Sequence, residues 1–544
     1  MSFGQRRMWF LNRLEQGGGA AAYNLSLALR LSGELDPGAL EAALGDLADR
    51  HETLRTVFPE DGGVPWQRIT DSRPRLRTRV AGEDELAGVL AELAGERFDL
   101  TRDLPWRADL LVLSDAGSGS SGASRGEYVL SLVAHHIAVD GWSMGVLARD
   151  LRAAYSARRA GTGPEWAEQA VRYVDYAVWQ REVLGDGDEP GSLLSAQLGY
   201  WRAALAGVPE ELALPVDRGR PVEASFRGGA VPVEVGAGVH AGLVEAARRG
   251  GATMFMVVQA ALAMMLARVG AGTDIPVGTP VAGRADRELE DLVGFFVNTL
   301  VLRTDVSGDP TFAELLDRVR DADLAAYAHQ DVPFELLVDE LSPERSLARH
   351  PLFQVMLTLQ NDPGARARWE LPGLEVRPVE GDETVMARFD LSVGLAEHHD
   401  EHGAPTGLSG GVQYAVDLFD EPTARSLAGR LTRVLTQVAA DPATRLSDLD
   451  VLDPAERRTV LEEWNDTARQ VPSTTLVELF RAQARRTPDA VAVLDETVAL
   501  TYAELDARSD RVARWLRGRG AGPESRVAVL MDRSADLMCV LWGC

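Results

Sequence analysis

Apolar runs of two periods, alternating and helical, follow one another in this chain without the regular strand–helix–strand beat of a doubly wound sheet. That irregularity restricts the fold more than any other feature. Strand-like stretches stand at RADLLVLS, EYVLSLVA, DIPVGTPV and FFVNTLVLRTDV. Helical spacing marks LDPGALEAALGDLADR, where Leu40, Leu44 and Leu47 share a face after a Pro-Gly start, and the long TMFMVVQAALAMMLARV. Strands that are not each followed by a crossover helix favour α+β sandwiches. The 544 residues leave room for roughly three to four domain-sized units. We therefore expect two α+β units over 1–170 and 171–452. A linker is expected over 453–474, where DPAERRTVLEEWNDTARQVPSTT loses its apolar period. A third α/β unit follows over 475–544, with helical VELFRAQARR, a strand pair in AVAVLDETVALTY and helix ELDARSDRVARWLRGRG. The sequence stops at WGC, directly after a fresh apolar segment, so this third unit is expected to be truncated. The Gly/Ser stretch AGSGSSGASRG reads as a flexible surface loop without function.

Composition removes several function classes. The net charge of −26 opposes binding to nucleic acid by phosphate neutralisation. Every basic residue is Arg, so the chain has no lysine for a pyridoxal Schiff base or a phosphate loop. Cys539 and Cys544 are the only cysteines, which leaves no disulfide framework or thiolate metal cluster and fits a reducing, cytoplasmic setting. No apolar run reaches the ~18 residues of a membrane span, and the opening MSFGQRRMWFLNRL has no signal-peptide h-region.

Chemistry concentrates at AHHIAVDGWS, residues 134–143, where two of nine histidines are adjacent at the end of an apolar strand. Alternation on a strand sends His135 and His136 to opposite faces, so one is packed and the other meets a second environment. Asp140-Gly141 reads as a turn, Ser143 as the N-cap of the next helix, and Met144, Leu147, Leu151 and Ala154 as that helix's apolar face. A buried strand–turn–helix corner would explain the stretch without any catalysis. Metal ligation by His135, His136 and Asp140 is disfavoured, because adjacent strand histidines diverge and no further ligand stands at helical spacing.

The order and content of SFGQRRMWFLNRLE, RHETLRTVF, HHIAVDGWS, YVDYAVWQ, VGTPVAGR, GFFVNTL, HQDVPFE and HPLFQVM resemble the condensation domains of non-ribosomal peptide synthetases over about residues 1–450. LTYAELDARSDRVARWL at 500–516 resembles the start of a synthetase adenylation domain. The resemblance implies two chloramphenicol-acetyltransferase-like lobes in a V-shaped pseudo-dimer with a tunnel between them. It implies amide formation between thioesters on the phosphopantetheine arms of upstream donor and downstream acceptor carrier domains, with no cofactor or metal held by this chain. The rest of the synthetase, including its adenylation domain, is the remaining implied partner; no nucleic acid or membrane is. By the same mapping, His136 points into the tunnel, His135 supports it, and Asp140 is structural and pairs with Arg284. Gly141 lets backbone approach the reacting groups, and Asn298 lies near the lobe interface. Opening motifs of this kind resemble the subtype with an L-configured donor end.

For His136 two roles stay open, general base toward the amine or positioning of amine and tetrahedral intermediate. An α-amine has pKa about 8 and the thioester is already activated, so the chemistry does not demand a strong base. Arg55 reads as fold-stabilising or as part of the donor side. Trp142 and Met144 read as core, and Tyr173, Asp175, Tyr176 and Trp179 as packing between lobes. His329 precedes a helix start at Pro333, and His398-His399, with acidic flanks, reads as a solvated loop. Epimerisation, a coenzyme A acyltransferase and a non-catalytic recruitment platform share the implied fold. The adenylation-like tail opposes the first two, and an intact HHxxxDG pattern opposes the third.

Overall fold

The computed structural model describes residues 1–14, 23–114, 123–341, 346, 348–360, 369–379, 386–471 and 473–544. Contacts divide the chain into Met1–Asp453 and Pro454–Cys544. Most of the Gly/Ser stretch, 116–122, falls outside the described residues; its last four, Ala123 to Gly126, already belong to the strand Ala123–His135.

Besides two short antiparallel pairs, Thr56–Val57 with Arg68–Ile69 and Glu60–Asp61 with Val64–Pro65, the first unit contains two large sheets. One has five strands in the order Leu374–Pro378, Asn24–Gly33, Ala123–His135, Trp106–Ser114, Leu76–Gly82, antiparallel except for its last pair. Side-chain alternation divides its faces. Leu29, Leu31, Ala108, Leu110, Leu130 and Leu132 pack under the helices Pro37–Arg50 and Gly141–Arg159, while Leu111, Leu113 and Val129 pack against Leu86 and Leu93 of the helix Leu86–Gly95. Asp36 caps Pro37–Arg50 by accepting from the Ala39 N–H, with Pro37 in the first turn where its missing N–H costs nothing. Leu374–Pro378 arrives from far along the chain, so the edge of this sheet is built by residues that lie between two strands of the other, Val355–Gln360 and Leu391–His399.

The second sheet has six strands in the order Asn298–Asp305, Asp274–Val281, Val355–Gln360, Leu391–His399, Pro405–Ala415, Gly228–Gly236. It is mixed, with two parallel pairs involving Val355–Gln360. The helix Met254–Arg268 is buried almost all round, as its uninterrupted apolar sequence requires of a core helix. No single helix among the described residues is long and apolar enough to cross a membrane.

The two halves repeat one device. Ala123–His135 leads through Ala138-Val139-Asp140 into Gly141–Arg159, and Pro405–Ala415 leads through Ala415-Val416-Asp417 into Glu421–Ala440. Asp417 accepts from the backbone and hydroxyl of Ser225, so each corner is tied by an aspartate, and only the first carries histidines.

In the second unit, Leu476–Arg486 and Tyr502–Gly518 flank an antiparallel pair, Val491–Leu494 with Ala499–Thr501. Thr475 and Thr501 begin these helices with capping boxes closed by Glu478 and Glu504. The stretch 453–474 is not extended throughout: Pro454–Arg458 is helical and Thr459–Glu463 continues as a wider turn.

Candidate active site

The strand ends at His135, so the two imidazoles part where regular pairing stops. His135 lies opposite Asn24 at the end of the ladder and is buried, 1% exposed. Its Nδ1 accepts from the Ile137 N–H at 3.1 Å, which leaves the proton on Nε2. Phe98 meets its ring edge-on. Burial, with the charges of His136 and Arg388, pushes its pKa down to about 3.

His136 is half-buried and opens the turn that spans 136–138. Its backbone N–H donates to the Tyr23 carbonyl at 2.9 Å. Its Nδ1 lies 2.8 Å from the Val139 carbonyl, and a carbonyl can only accept, so Nδ1 carries the proton. The neutral ring therefore presents Nε2 as a bare acceptor. Burial lowers its pKa to about 4, the Arg388 charge acts in the same direction, and the Val139 bond and Asp140 oppose them. The two neighbours thus hold opposite tautomers.

The turn is not at Asp140-Gly141, and Ser143 is not the cap. Asp140 is itself the N-cap of Gly141–Arg159, accepting from the Ser143 N–H at 2.9 Å, and Gly141 is the first helical residue. The reason is reach: a carboxylate three residues before that N–H closes the first turn, and the Ser143 hydroxyl is then free to bridge elsewhere. It donates to Asp140 Oδ1 at 2.7 Å and meets both the N–H and carbonyl of Gly294.

Arg284 completes this knot. Its Nη2 donates to Asp140 Oδ1 and Oδ2 at 3.0 and 3.2 Å, and its Nη1 to the Leu289 and Leu292 carbonyls at 2.6 and 2.8 Å. The guanidinium lies 3.9 Å from the Phe296 ring centroid, and the Phe296 N–H donates to Asp140 Oδ2. Both side chains are sealed, 1% and 0% exposed. Gly283, at φ +64° with the Phe296 carbonyl 2.0 Å from where a Cβ would sit, provides the bend that delivers Arg284. A Cβ on Gly141, by contrast, would meet nothing within 4 Å, so open space adjoins the start of the helix.

Two more residues stand at this site: Phe295 falls inside the GFFVNTL motif without being marked there as a site residue, and Arg388 falls in none of the quoted motifs. Phe295 covers the His136 ring edge-on at 5.0 Å, and Arg388, stacked on Tyr23 at 4.5 Å, acts on both imidazoles. Arg388 is separated from them by 253 and 252 positions of chain and only the tertiary fold brings it near.

Other candidates take structural positions. Arg55 donates to the Ala48 and Thr70 carbonyls. Asn298 spends its amide on the Gln330 and Val332 carbonyls and its oxygen on the Thr299 and Phe334 N–H groups, fixing the bend before the helix Phe334–Leu341. Trp142 donates to the Glu290 carbonyl and, like Met144, packs at the edge of the first core. Tyr173 and Tyr176 are buried against Phe296, while Asp175 pairs with Arg172 at the surface and Trp179 is exposed. His329 stacks on Tyr200 at 4.0 Å. His398 and His399 do not lie in a loop: they end the strand Leu391–His399, because its ladder with Pro405–Ala415 runs on through the acidic flank. His399, Glu397 and buried His240 have ligand atoms within 4.8 Å of one another. His240 Nδ1 accepts from the Gly407 N–H, so its Nε2 bears the proton and donates to Glu397 at 3.3 Å. In this tautomer His240 offers no lone pair to an ion.

The condensation-domain family model matches residues 1–461 and the AMP-binding-enzyme model residues 480–544. The chain is 50% identical over 536 residues to a probable non-canonical nonribosomal peptide synthetase, CymA, of Salinispora arenicola (strain CNS-205), and 46% identical over 540 residues to a dimodular nonribosomal peptide synthase of Bacillus subtilis (strain 168). These matches cover 98% and 99% of this chain but 7% and 22% of those proteins. Among solved structures, the X-domain from teicoplanin biosynthesis is 45% identical with TM-score 0.76, covering 83% of this chain and 97% of that one. A four-domain nonribosomal peptide synthetase bound to AMP and glycine has TM-score 0.81 at 23% identity, covering 100% of this chain and 40% of that one, a likeness of fold. The mixed α+β architecture described above agrees with these neighbours, and the V-shaped pseudo-dimer of two chloramphenicol-acetyltransferase-like lobes that the resemblance implies is consistent with them. On the family match over most of its length, this chain belongs to the condensation-domain family of non-ribosomal peptide synthetases.

Proposed function

We propose that the chain forms an amide bond between a donor acyl thioester and an acceptor aminoacyl thioester, both presented on phosphopantetheine arms of separate carrier domains. The observation that carries this reading is His136: a half-buried neutral imidazole, locked as the Nδ1–H tautomer, whose Nε2 lone pair has no hydrogen-bond partner among the described residues. The acceptor amine donates one N–H to that lone pair, which aims the nitrogen lone pair at the thioester carbonyl. The C–N bond forms, the C–S bond breaks, the thiolate leaves on the donor arm and the amine loses a proton to solvent.

The same geometry favours holding over deprotonating. With an imidazole at about 4 and an α-ammonium near 8, proton transfer from ammonium to ring is uphill by about 5 kcal/mol at 1.36 kcal/mol per unit. Asp140 and Arg284 act as the brace that fixes the start of the helix, and His135 as the wall behind the turn. The donor end is of the L-configured subtype on the strength of SFGQRRMWFLNRLE and RHETLRTVF. Residues 1–170 and 171–452 form the two lobes, with the strand Leu374–Pro378 reaching back to the first sheet. A cytoplasmic setting accords with two unpaired cysteines.

A second reading, recruitment of another protein without catalysis, has one observation in its favour: a complex of the X-domain and OxyB from teicoplanin biosynthesis is 44% identical at TM-score 0.76. The intact AHHIAVDG pattern speaks for catalysis. The test is reconstitution with loaded donor and acceptor carrier proteins, read by intact-protein mass spectrometry. Donor acyl appearing on the acceptor carrier supports condensation. Inversion at the α-carbon without transfer means epimerisation, and neither event means a platform.

A further inference from the structure

We propose that Ser2, Gln5 and Tyr173 are positioning residues for His136, holding the imidazole and its aromatic cover Phe295 at a fixed separation from one turn of helix. The inference rests on His136 acting in the transfer, and it concerns the three residues that set its surroundings.

The helix Phe3–Leu14 begins with Ser2 and Gln5 bonded reciprocally. The Gln5 N–H donates to Ser2 Oγ at 3.1 Å, and the Ser2 N–H to Gln5 Oε1 at 3.3 Å. Both side chains are buried, 1% and 0% exposed. From this turn two attachments leave in different directions. Gln5 Nε2 donates to the carbonyl of Ile137, the residue after His136, at 3.4 Å. Tyr173 donates its phenolic O–H to the Phe295 carbonyl at 2.5 Å. Having only one proton, it must accept the Ser2 hydroxyl, 2.9 Å away.

A third contact is steric. A Cβ on Gly4 would stand 2.7 and 2.8 Å from Cε1 and Cδ1 of the Phe295 ring, so that ring lies flush on the helix backbone and any larger residue would push it off. Imidazole turn and cover are thus gauged from the same few atoms. Neither hydroxyl proton in this network is left for chemistry, since Ser2 donates to Tyr173 and Tyr173 to the Phe295 carbonyl. The three act through Ile137 and Phe295.

Releasing the Phe295 carbonyl lets its ring tilt away from His136 and admits water to an imidazole whose surroundings otherwise include Arg388, Asp140 and His135. The test compares the full chain with Tyr173→Phe, which keeps the ring in its cluster with Tyr176 and Phe296, and with Gln5→Met. With histidine labelled at 13Cε1 and the His136 signal assigned by its loss in His136→Gln, its ionisation is followed against pH. Both variants should move it upward by about one unit or more. Single-turnover transfer should fall roughly ten- to hundredfold with acceptor KM unchanged. Melting temperature is measured in parallel. Variants that melt lower while the His136 titration and the transfer rate of the folded protein stay put would overturn the proposal. A wild-type chain that transfers nothing would defeat the proposed function instead, and the titration would still decide the positioning.

Discussion

Replacing Asp140 by alanine removes the carboxylate paired, among the described residues, with a guanidinium that is 1% exposed, and strands the Ser143 and Phe296 N–H groups with it. Breaking one side of a buried pair costs about 3–5 kcal/mol, because the remaining charge is neither paired nor hydrated. The unfolding entropy of the unit Met1–Asp453 is roughly 1 kcal/mol/K at about 2.1 cal/mol/K per residue. The variant should therefore melt about 3–5 °C lower, a shift that scanning calorimetry resolves. Arg284→Met fills much of the same space without charge, so the double variant should be less destabilised than the sum of the singles, with a coupling of about 0.5–3 kcal/mol. Transfer activity should fall in both singles because the cap that starts Gly141–Arg159 is loosened. Asp140→Ala with an unchanged melting temperature and abolished transfer would refute the reasoning and assign the carboxylate a direct part in the chemistry.

Further outcomes follow from the buried titratable groups. His135 is held near 3 in the folded chain against 6.5 when unfolded, so the unfolded state binds the extra proton first. Stability is full above pH 6.5 and falls on acidification, by about 2–3 kcal/mol between pH 7 and 4.5 for this residue. In His135→Asn that part of the acid sensitivity in urea titrations should disappear. Asp323, 0% exposed with Oδ2 unpartnered, has the opposite sign: burial raises it to about 7 from 3.8, so it costs stability as pH rises through that window. Asp323→Asn should be stabilising by about 3–4 kcal/mol at pH 8 and near neutral at pH 4 in the same titrations. Arg388→Met removes a charge that pushes the His136 ring down, so the His136 carbon-13 titration should move upward; a titration left in place would exclude that influence.

Much of this could be read before any coordinates. Period and turn residues locate Pro37–Arg50, Gly141–Arg159 and Met254–Arg268, and DIPVGTPV coincides with the strand Asp274–Val281, whereas Asn24–Gly33, Pro405–Ala415 and Glu421–Ala440 have no counterpart in that reading. HHxxxDG and VGTPVAGR, read through the family resemblance, bring Asp140 and Arg284 together across 144 positions. What escaped has physical causes. The cap moved from Ser143 to Asp140 because either side chain suits the position and only the helix's first turn decides. LEVRP at 374–378 is too short and too charged to read as a strand, since it joins a sheet only at its edge. AEHHDEHG reads as a loop because strand ends tolerate polar residues once one face meets water. Phe295 looks like core from its neighbours, and nothing local distinguishes a ring on leucine from a ring on an imidazole.

The central claim is that His136 holds the amine without taking its proton. It is tested by single-turnover transfer for wild type and His136→Ala across pH 3.5 to about 9, a window spanning the ring at about 4 and the amine near 8. Both profiles should rise in parallel with the neutral amine, the variant lower by about a hundredfold at every pH. A wild-type profile carrying an additional ionisation that vanishes in the variant would contradict it and make His136 the base.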